Sequence, residues 1–341
     1  MITLTINDKA PPAWYLFPDQ VNCVDLEFRK DVDASLARIK NHIRRTPVQF
    51  SHYLSNSTGS DVYLKLENYQ ITGSFKPRGA LNKMTLLSKQ KPEKIITASS
   101  GNHGSAVAYA SSVLAMKTLI FLPETVSAVK LNNINQFGAQ VRIGGNDTGK
   151  AERAARTFAN EHDYPYLSPY NDYDIIAGQG TAGAEIVEQI SSVDAVFIAV
   201  GGGGLISGIG AYLKLINPNT QVIACSPEHS AAMHYSLEAG KIIDIDHKET
   251  ISDGTAGALE EHSVTYEYCR SIVDQSILLS EDEIITAMKE FMNSHQMMIE
   301  GAAGVALAGF IKIQQQFQNK RVLIVVCGSN ISIEKLMEVL S

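Results

Sequence analysis

Short, strongly apolar runs recur along this chain and alternate with longer amphipathic stretches. The strand-like runs cover residues 62–66, 94–98, 118–122, 140–143, 195–200, 221–225 and 321–327, and helical patterns fill 104–115, 128–137, 148–162 and 281–294. Few of the strand-like runs alternate polar with apolar residues, so their side chains must be buried on both sheet faces. Strands buried on both faces and separated by helices require a parallel sheet covered on each side, an α/β architecture. Glycines crowd the ends of the runs rather than their interiors. In open parallel sheets, ligands gather at the carboxyl ends of the strands.

The 341 residues exceed the usual size of one domain. No Pro/Gly/Ser linker divides them, so the expectation is one domain inserted into another rather than two in series. The first twenty residues, rich in proline and aromatics, read as an arm packed on the body or on a partner subunit. Against 29 Lys and Arg stand 36 Asp and Glu. No basic face emerges, which argues against nucleic acid as a partner. The N-terminus lacks the basic-then-apolar pattern of a signal peptide, and no apolar run approaches the roughly 20 residues of a membrane span. A cytoplasmic protein with no membrane partner is expected. Cys23, Cys225, Cys269 and Cys327 form no CxxC pair, which argues against a disulfide framework or structural zinc.

Four segments carry candidate chemistry. Gly201, Gly202, Gly203 and Gly204 follow an apolar run and precede Leu205 and a helical stretch. Such a loop exposes backbone N–H groups at a helix N-terminus, which suits a phosphate; a tight turn without ligand fits the same letters. Lys76 lies between Phe75 and Pro77 in Ser-Phe-Lys-Pro-Arg-Gly-Ala. An apolar setting lowers a lysine's pKa and makes its amine a nucleophile, although a solvated lysine at a helix start is the commoner case. Ser99, Ser100, Gly101, Asn102 and His103 fall between a strand and an Ala-rich helix. Small hydroxyls and free amides there suit a carboxylate, and also an ordinary helix cap. Cys327, Gly328, Ser329 and Asn330 end the last strong strand.

Taken together, from about Ile43 onward, the chain resembles the fold-type II pyridoxal-phosphate enzymes, in the branch of serine/threonine dehydratases and serine racemases. The resemblance rests on SFKPRGA, SSGNHG, DIIAGQGTAGAEI, VGGGGLISGI, IEGAAGVALA and CGSNIS. It implies a tryptophan synthase β-like fold: two open twisted parallel-sheet domains with pyridoxal 5′-phosphate between them. The large domain would comprise residues 1–92 and 168–341, and the small inserted domain 93–167. Lys76 would carry the cofactor as an imine, with Phe75 beside its ring. Asn102 would bond the 3′-oxygen, the backbone of Gly201–Leu205 would hold the phosphate, and Cys327 would sit at the pyridine nitrogen. Ser99, Ser100, Asn102 and His103 would clasp the substrate carboxylate. Gly254 and Glu300 match positions lining the ring and the substrate side. The family also implies a homodimer.

The activity implied is β-elimination from a small β-hydroxy amino acid such as L-threonine or L-serine, an ammonia-lyase reaction giving a 2-oxo acid and ammonia. Ser100 occupies the position from which a racemase could protonate the opposite face, so serine racemisation is the competing reading. The stretch around residues 252–257 also resembles dehydratases proposed for hydroxyectoine breakdown, and 3-hydroxyaspartate is a further candidate. No metal is expected, because Ser226 and Ala232 stand where metal-activated relatives place carboxylates. Lys150 or Arg153 could replace a substrate-binding arginine found in some relatives. Tyr170 and residues 255–259 are candidates for shaping the side-chain pocket.

Overall fold

The computed structural model describes residues 14–16 and 25–341. Ten strands fall among them: β1 (Trp14–Leu16), β2 (Val48–Phe50), β3 (Asp61–Leu66), β4 (Ile95–Ala98), β5 (Thr118–Leu122), β6 (Gln140–Ile143), β7 (Ala195–Ala199), β8 (Gln221–Pro227), β9 (Gln275–Leu279) and β10 (Arg321–Val326). Seven form one sheet in the order β1-β9-β8-β7-β10-β3-β2, and three form a second in the order β4-β5-β6.

The second sheet is wholly parallel. In the first, the five inner strands are parallel and both edges antiparallel: β1 against β9, and β2 against β3. The all-parallel sheet expected from the sequence therefore holds for the interior and not for the rims. The reason is the length of the edge strands, three residues each, too short to show a periodicity. Of the expected N-terminal arm, only β1 lies within the described residues.

Helices cover strands such as β5, β7 and β10, in which nearly every residue is buried, whereas β6, expected from its sequence to be buried on both faces, is an edge strand exposed at every residue. Local chemistry sets where many of these helices start. Ser280 and Glu283 form a reciprocal capping box at Glu281–His295, and Asp147 caps Thr148–Glu161 through the Lys150 amide. Among the described residues, no helix is long and apolar enough to cross a membrane.

Two connections position the site. The segment after Thr148–Glu161 runs beside β4, where the Ile96 amide donates to the Pro165 carbonyl and the Leu167 amide to the Ile96 carbonyl. It delivers Ser168, Pro169 and Tyr170 to the junction of the two sheets. Residues 327–329, just beyond β10, run antiparallel to the turn at 73–75: the Phe75 amide donates to the Cys327 carbonyl and the Ser329 amide to the Gly73 carbonyl.

Candidate active site

Lys76 immediately precedes the helix Pro77–Ser88, whose first residue is the proline that a helix start accommodates without losing a hydrogen bond. Its Nζ donates to the Pro169 carbonyl at 2.9 Å and lies 5.1 Å from the centre of the Phe75 ring. Burial pushes the amine's pKa down to about 8, against the upward pull of its neighbours Cys327 and Glu300. An amine so placed is neutral in a useful fraction of molecules near neutral pH, which a nucleophile or proton acceptor needs.

Opposite the lysine turn lies a second cluster. Glu300 is buried just ahead of the helix Gly301–Ile313. Its carboxylate accepts both contacts from Asn102 Nδ2, at 2.9 and 3.0 Å, and one from the Asn330 amide at 3.0 Å. Burial raises its pKa to about 7, against the lowering effect of those hydrogen bonds. The Cys327 thiol faces the same carboxylate at 3.9 Å and is pushed well above the ordinary thiol value, by burial and then by Glu300. It is a neutral group. Gly254 stands close enough that a β-carbon there would touch Glu300.

The glycine loop links β7 to the helix Gly204–Ile216, and Leu205 is buried in that helix's first turn. Gly203 has φ +86°, a conformation that side chains resist. A β-carbon at Gly202 would fall 2.4 Å from the Tyr170 ring, and one at Gly201 would meet the Thr255 backbone. Tyr170 and Thr255 thus pack the back of this loop. Tyr170 immediately follows the carbonyl that holds Lys76, so the lysine and the loop are joined through two consecutive residues.

Ser99 and Ser100 precede the helix Asn102–Leu114, whose first amides have no acceptor inside the helix. Ser99 Oγ accepts from the Gly101 amide at 3.2 Å. Ser100 lines a cleft of about 450 Å³ between the sheets, together with Lys130, Asp253, Glu300, Asn330 and Lys335. The imidazole of His103 turns inward to Thr97 Oγ1, at 3.1 Å, and the Leu167 carbonyl, at 3.3 Å. A carboxylate contact from His103 would therefore come from its backbone amide. Lys150 and Arg153 do not line the cleft. Both are exposed, and Lys150 binds Asn146 and Asp147. Lys130 does line it, 3.0 Å from Asp253.

Two participants had escaped the sequence reading. The Asn330 side chain bridges the Asn102 side-chain oxygen, at 2.7 Å, and the Thr72 carbonyl, at 2.8 Å. It lies inside the Cys-Gly-Ser-Asn segment, which was the available signal. The Pro169 carbonyl has none, because a backbone acceptor leaves no trace in residue type.

His103 yields a stability prediction. Burial, followed by the charge of Lys76, holds its pKa down to about 3, and burial holds buried His234 at about 4. Unfolding returns both to about 6.5, so the unfolded chain binds more protons below that pH. Their contribution to stability is complete above about pH 6.5 and is lost as pH falls toward the folded values. Each costs up to about 1.4 kcal/mol per pH unit in that window. Urea titrations between pH 7 and pH 5 should show this slope, and His103→Asn should flatten it by about one proton. Identical slopes in parent and variant would contradict the assignment.

These features define a class: an α/β enzyme with a partly desolvated lysine, a glycine loop at a helix start and a polar cleft meeting between two sheets. The family described as "Pyridoxal-phosphate dependent enzyme" matches residues 39–328, and the chain belongs to it. An L-threonine ammonia-lyase of Thermotoga maritima is 34% identical over 313 residues, covering 92% of this chain and 78% of that protein. A β-hydroxyaspartate dehydratase of Paracoccus denitrificans is 35% identical over 308 residues, covering 90% and 97%. The structure of the processed form of threonine deaminase isoform 2 from Solanum lycopersicum superposes with a TM-score of 0.90 at 31% identity, covering 98% of each chain. The fold is the fold-type II architecture expected from the sequence, and the protein is a pyridoxal-phosphate-dependent enzyme of the ammonia-lyase group.

Proposed function

We propose that this enzyme removes water from a small β-hydroxy amino acid, L-threonine, L-serine or 3-hydroxyaspartate, and releases a 2-oxo acid and ammonium. The observation that carries the reading is Lys76, its amine desolvated against the Pro169 carbonyl within the cluster that includes Glu300 and Cys327. The names of the threonine and hydroxyaspartate relatives support it.

The residues present fit the cofactor. Lys76 would bind its aldehyde, Gly201–Leu205 its phosphate, Phe75 its ring, Asn102 its ring oxygen and Cys327 its ring nitrogen. When bound, it withdraws electrons from the substrate's Cα. Lys76 takes the proton from Cα, a task for which a pKa near the working pH is favourable. The helix start after Ser99 and Ser100 binds the substrate carboxylate. Glu300, able to hold a proton near neutral pH, keeps Asn102 and Asn330 in place. Cys327, being neutral, brings no negative charge to the ring nitrogen. The water lost across Cα and Cβ is regained when the released enamine hydrolyses, so amino acid becomes 2-oxo acid plus ammonium.

In domain terms, we assign residues 1–92 and 168–341 to a large unit and 93–167 to a small one. The three-stranded sheet, confined to residues 95–143, supports this division.

Ser100, lining the cleft, favours one second reading, racemisation by a proton delivered from the opposite face. A panel of β-hydroxy amino acids assayed for 2-oxo acid and chiral inversion together, with and without magnesium, separates the two. Keto-acid formation should outrun inversion for at least one substrate. Inversion outrunning it throughout would replace elimination by racemisation.

A further inference from the structure

Two residues beyond Lys76, Arg78 is wholly buried. Its Nε donates to Glu67 Oε2 at 2.8 Å and Nη2 to Glu67 Oε1 at 2.8 Å. Nη1 and Nη2 also reach the two oxygens of Glu185, at 2.9 and 2.8 Å. Thr181 and Thr46 hydroxyls accept from Nη1 and Nη2, at 3.1 and 3.2 Å. Lys65, equally buried, donates to Glu185 at 2.6 Å and to the Thr46 carbonyl at 2.9 Å. Two cations and two anions thus sit in one dry cluster with every guanidinium N–H engaged.

As mere filling, such a cluster is costly. Burying charges carries a large desolvation penalty, and apolar side chains of similar volume are often as stabilising. A doubly bidentate arginine offers something that apolar packing lacks, a fixed orientation. What it orients follows from its neighbours. Glu185 belongs to the helix Tyr173–Gln189, and Pro169, which accepts from Lys76, lies just ahead of the same helix. Between these points Gly178 lets that helix touch the start of Pro77–Ser88: a β-carbon there would fall 2.6 Å from Gly79 Cα and 2.7 Å from the Arg78 carbonyl. The two segments are held at three places: at the reactive amine itself, and at Arg78 and Gly79 just beyond it.

We propose that Arg78 is a positioning residue: its clamp on Glu67 and Glu185 sets the height and rotation of the Lys76 turn, and so the place of the amine against the Pro169 carbonyl. The inference rests on the proposed reading only in taking Lys76 as the reacting amine. It holds for any substrate.

The test uses the full-length chain with Arg78→Lys, which keeps the charge and loses the fork, and Thr181→Val, which keeps all four charges and removes one acceptor. The first readout is the pH midpoint for acylation of Lys76, followed by peptide mass spectrometry before cofactor is added. Glu300, Cys327 and His103 are the titratable groups coupled to this amine. In the parent the midpoint should be about 8. In Arg78→Lys it should rise by about one unit toward the free-lysine value, because a displaced amine regains water. The second readout is turnover of the holoenzyme, where a misplaced amine should lower kcat by up to about a hundredfold with KM little changed. Thr181→Val should move both in the same direction and by less. If Arg78→Lys fails to fold, Thr181→Val decides. Folded variants with lower melting temperatures but an unmoved Lys76 midpoint and unchanged kcat would reduce the cluster to a structural role and overturn the proposal. If a panel of hydroxy amino acids gave no 2-oxo acid while the labelling midpoint still moved, the elimination reading would fail and this one would stand.

Discussion

Lys76→Ala is expected to lower turnover by at least about a thousandfold on every substrate, because one substitution removes both the cofactor attachment point and the proton acceptor. The fold should survive. The lysine head makes one hydrogen bond, to the Pro169 carbonyl, and its loss costs about 1 kcal/mol. Taking a cation out of a desolvated position offsets part of that. Melting temperature should therefore stay within a few degrees of the parent while activity disappears. Borohydride treatment with cofactor present should leave a mass increment on the peptide containing residue 76 in the parent and none in the variant. Parent-like turnover by the alanine variant would remove the basis of the functional reading.

The second large effect is expected at Gly202. A β-carbon there would lie 2.4 Å from two atoms of the Tyr170 ring. That ring has little freedom to retreat. Its hydroxyl accepts from the Glu260 amide at 2.9 Å, and the Glu260 carboxylate is bound by Arg156 and Asn171. The loop must shift instead, carrying its amides out of line. Overpacking of this kind costs about 1–3 kcal/mol, so cofactor affinity in Gly202→Ala should fall about 5- to 150-fold. Titration of the cofactor's visible absorbance against stripped enzyme measures this directly. Because Lys76 is untouched, saturating cofactor should restore most of the turnover. Unchanged affinity would show that the loop does not hold the phosphate.

Much of this molecule could be read from residue types alone. The buried strands β5, β7 and β10 declare themselves as short apolar runs, and the glycine loop follows one of them directly. β9 was missed because it opens on Gln275 and Ser276, polar residues that the fold nevertheless buries. Its pattern resembles a loop until β8 and β1 are set beside it. The site divides in the same way. Lys76, Asn102 and Gly201–Gly204 stand in local motifs whose chemistry is visible in a few letters. The partners of Arg78 are not visible. Glu185 is 107 residues away, and only the packing of two helices beneath β3 makes it a neighbour. The inward turn of His103 was hidden too, since it depends on a hydroxyl and a carbonyl supplied by different segments.

β10 lies in the middle of the larger sheet, between β7 and β3, and its continuation pairs with the turn preceding Lys76. The contact between Ser329 and Gly73 spans 256 positions. During translation, the segment around residue 76 leaves the ribosome long before the residues that shape it exist. Until they emerge, β3 and β7 lack the strand that joins them, and their apolar edges stay open to chaperones or to aggregation. Vitamin capture would thereby wait until β10 has been made, and chains terminated before it would be released unable to trap the aldehyde.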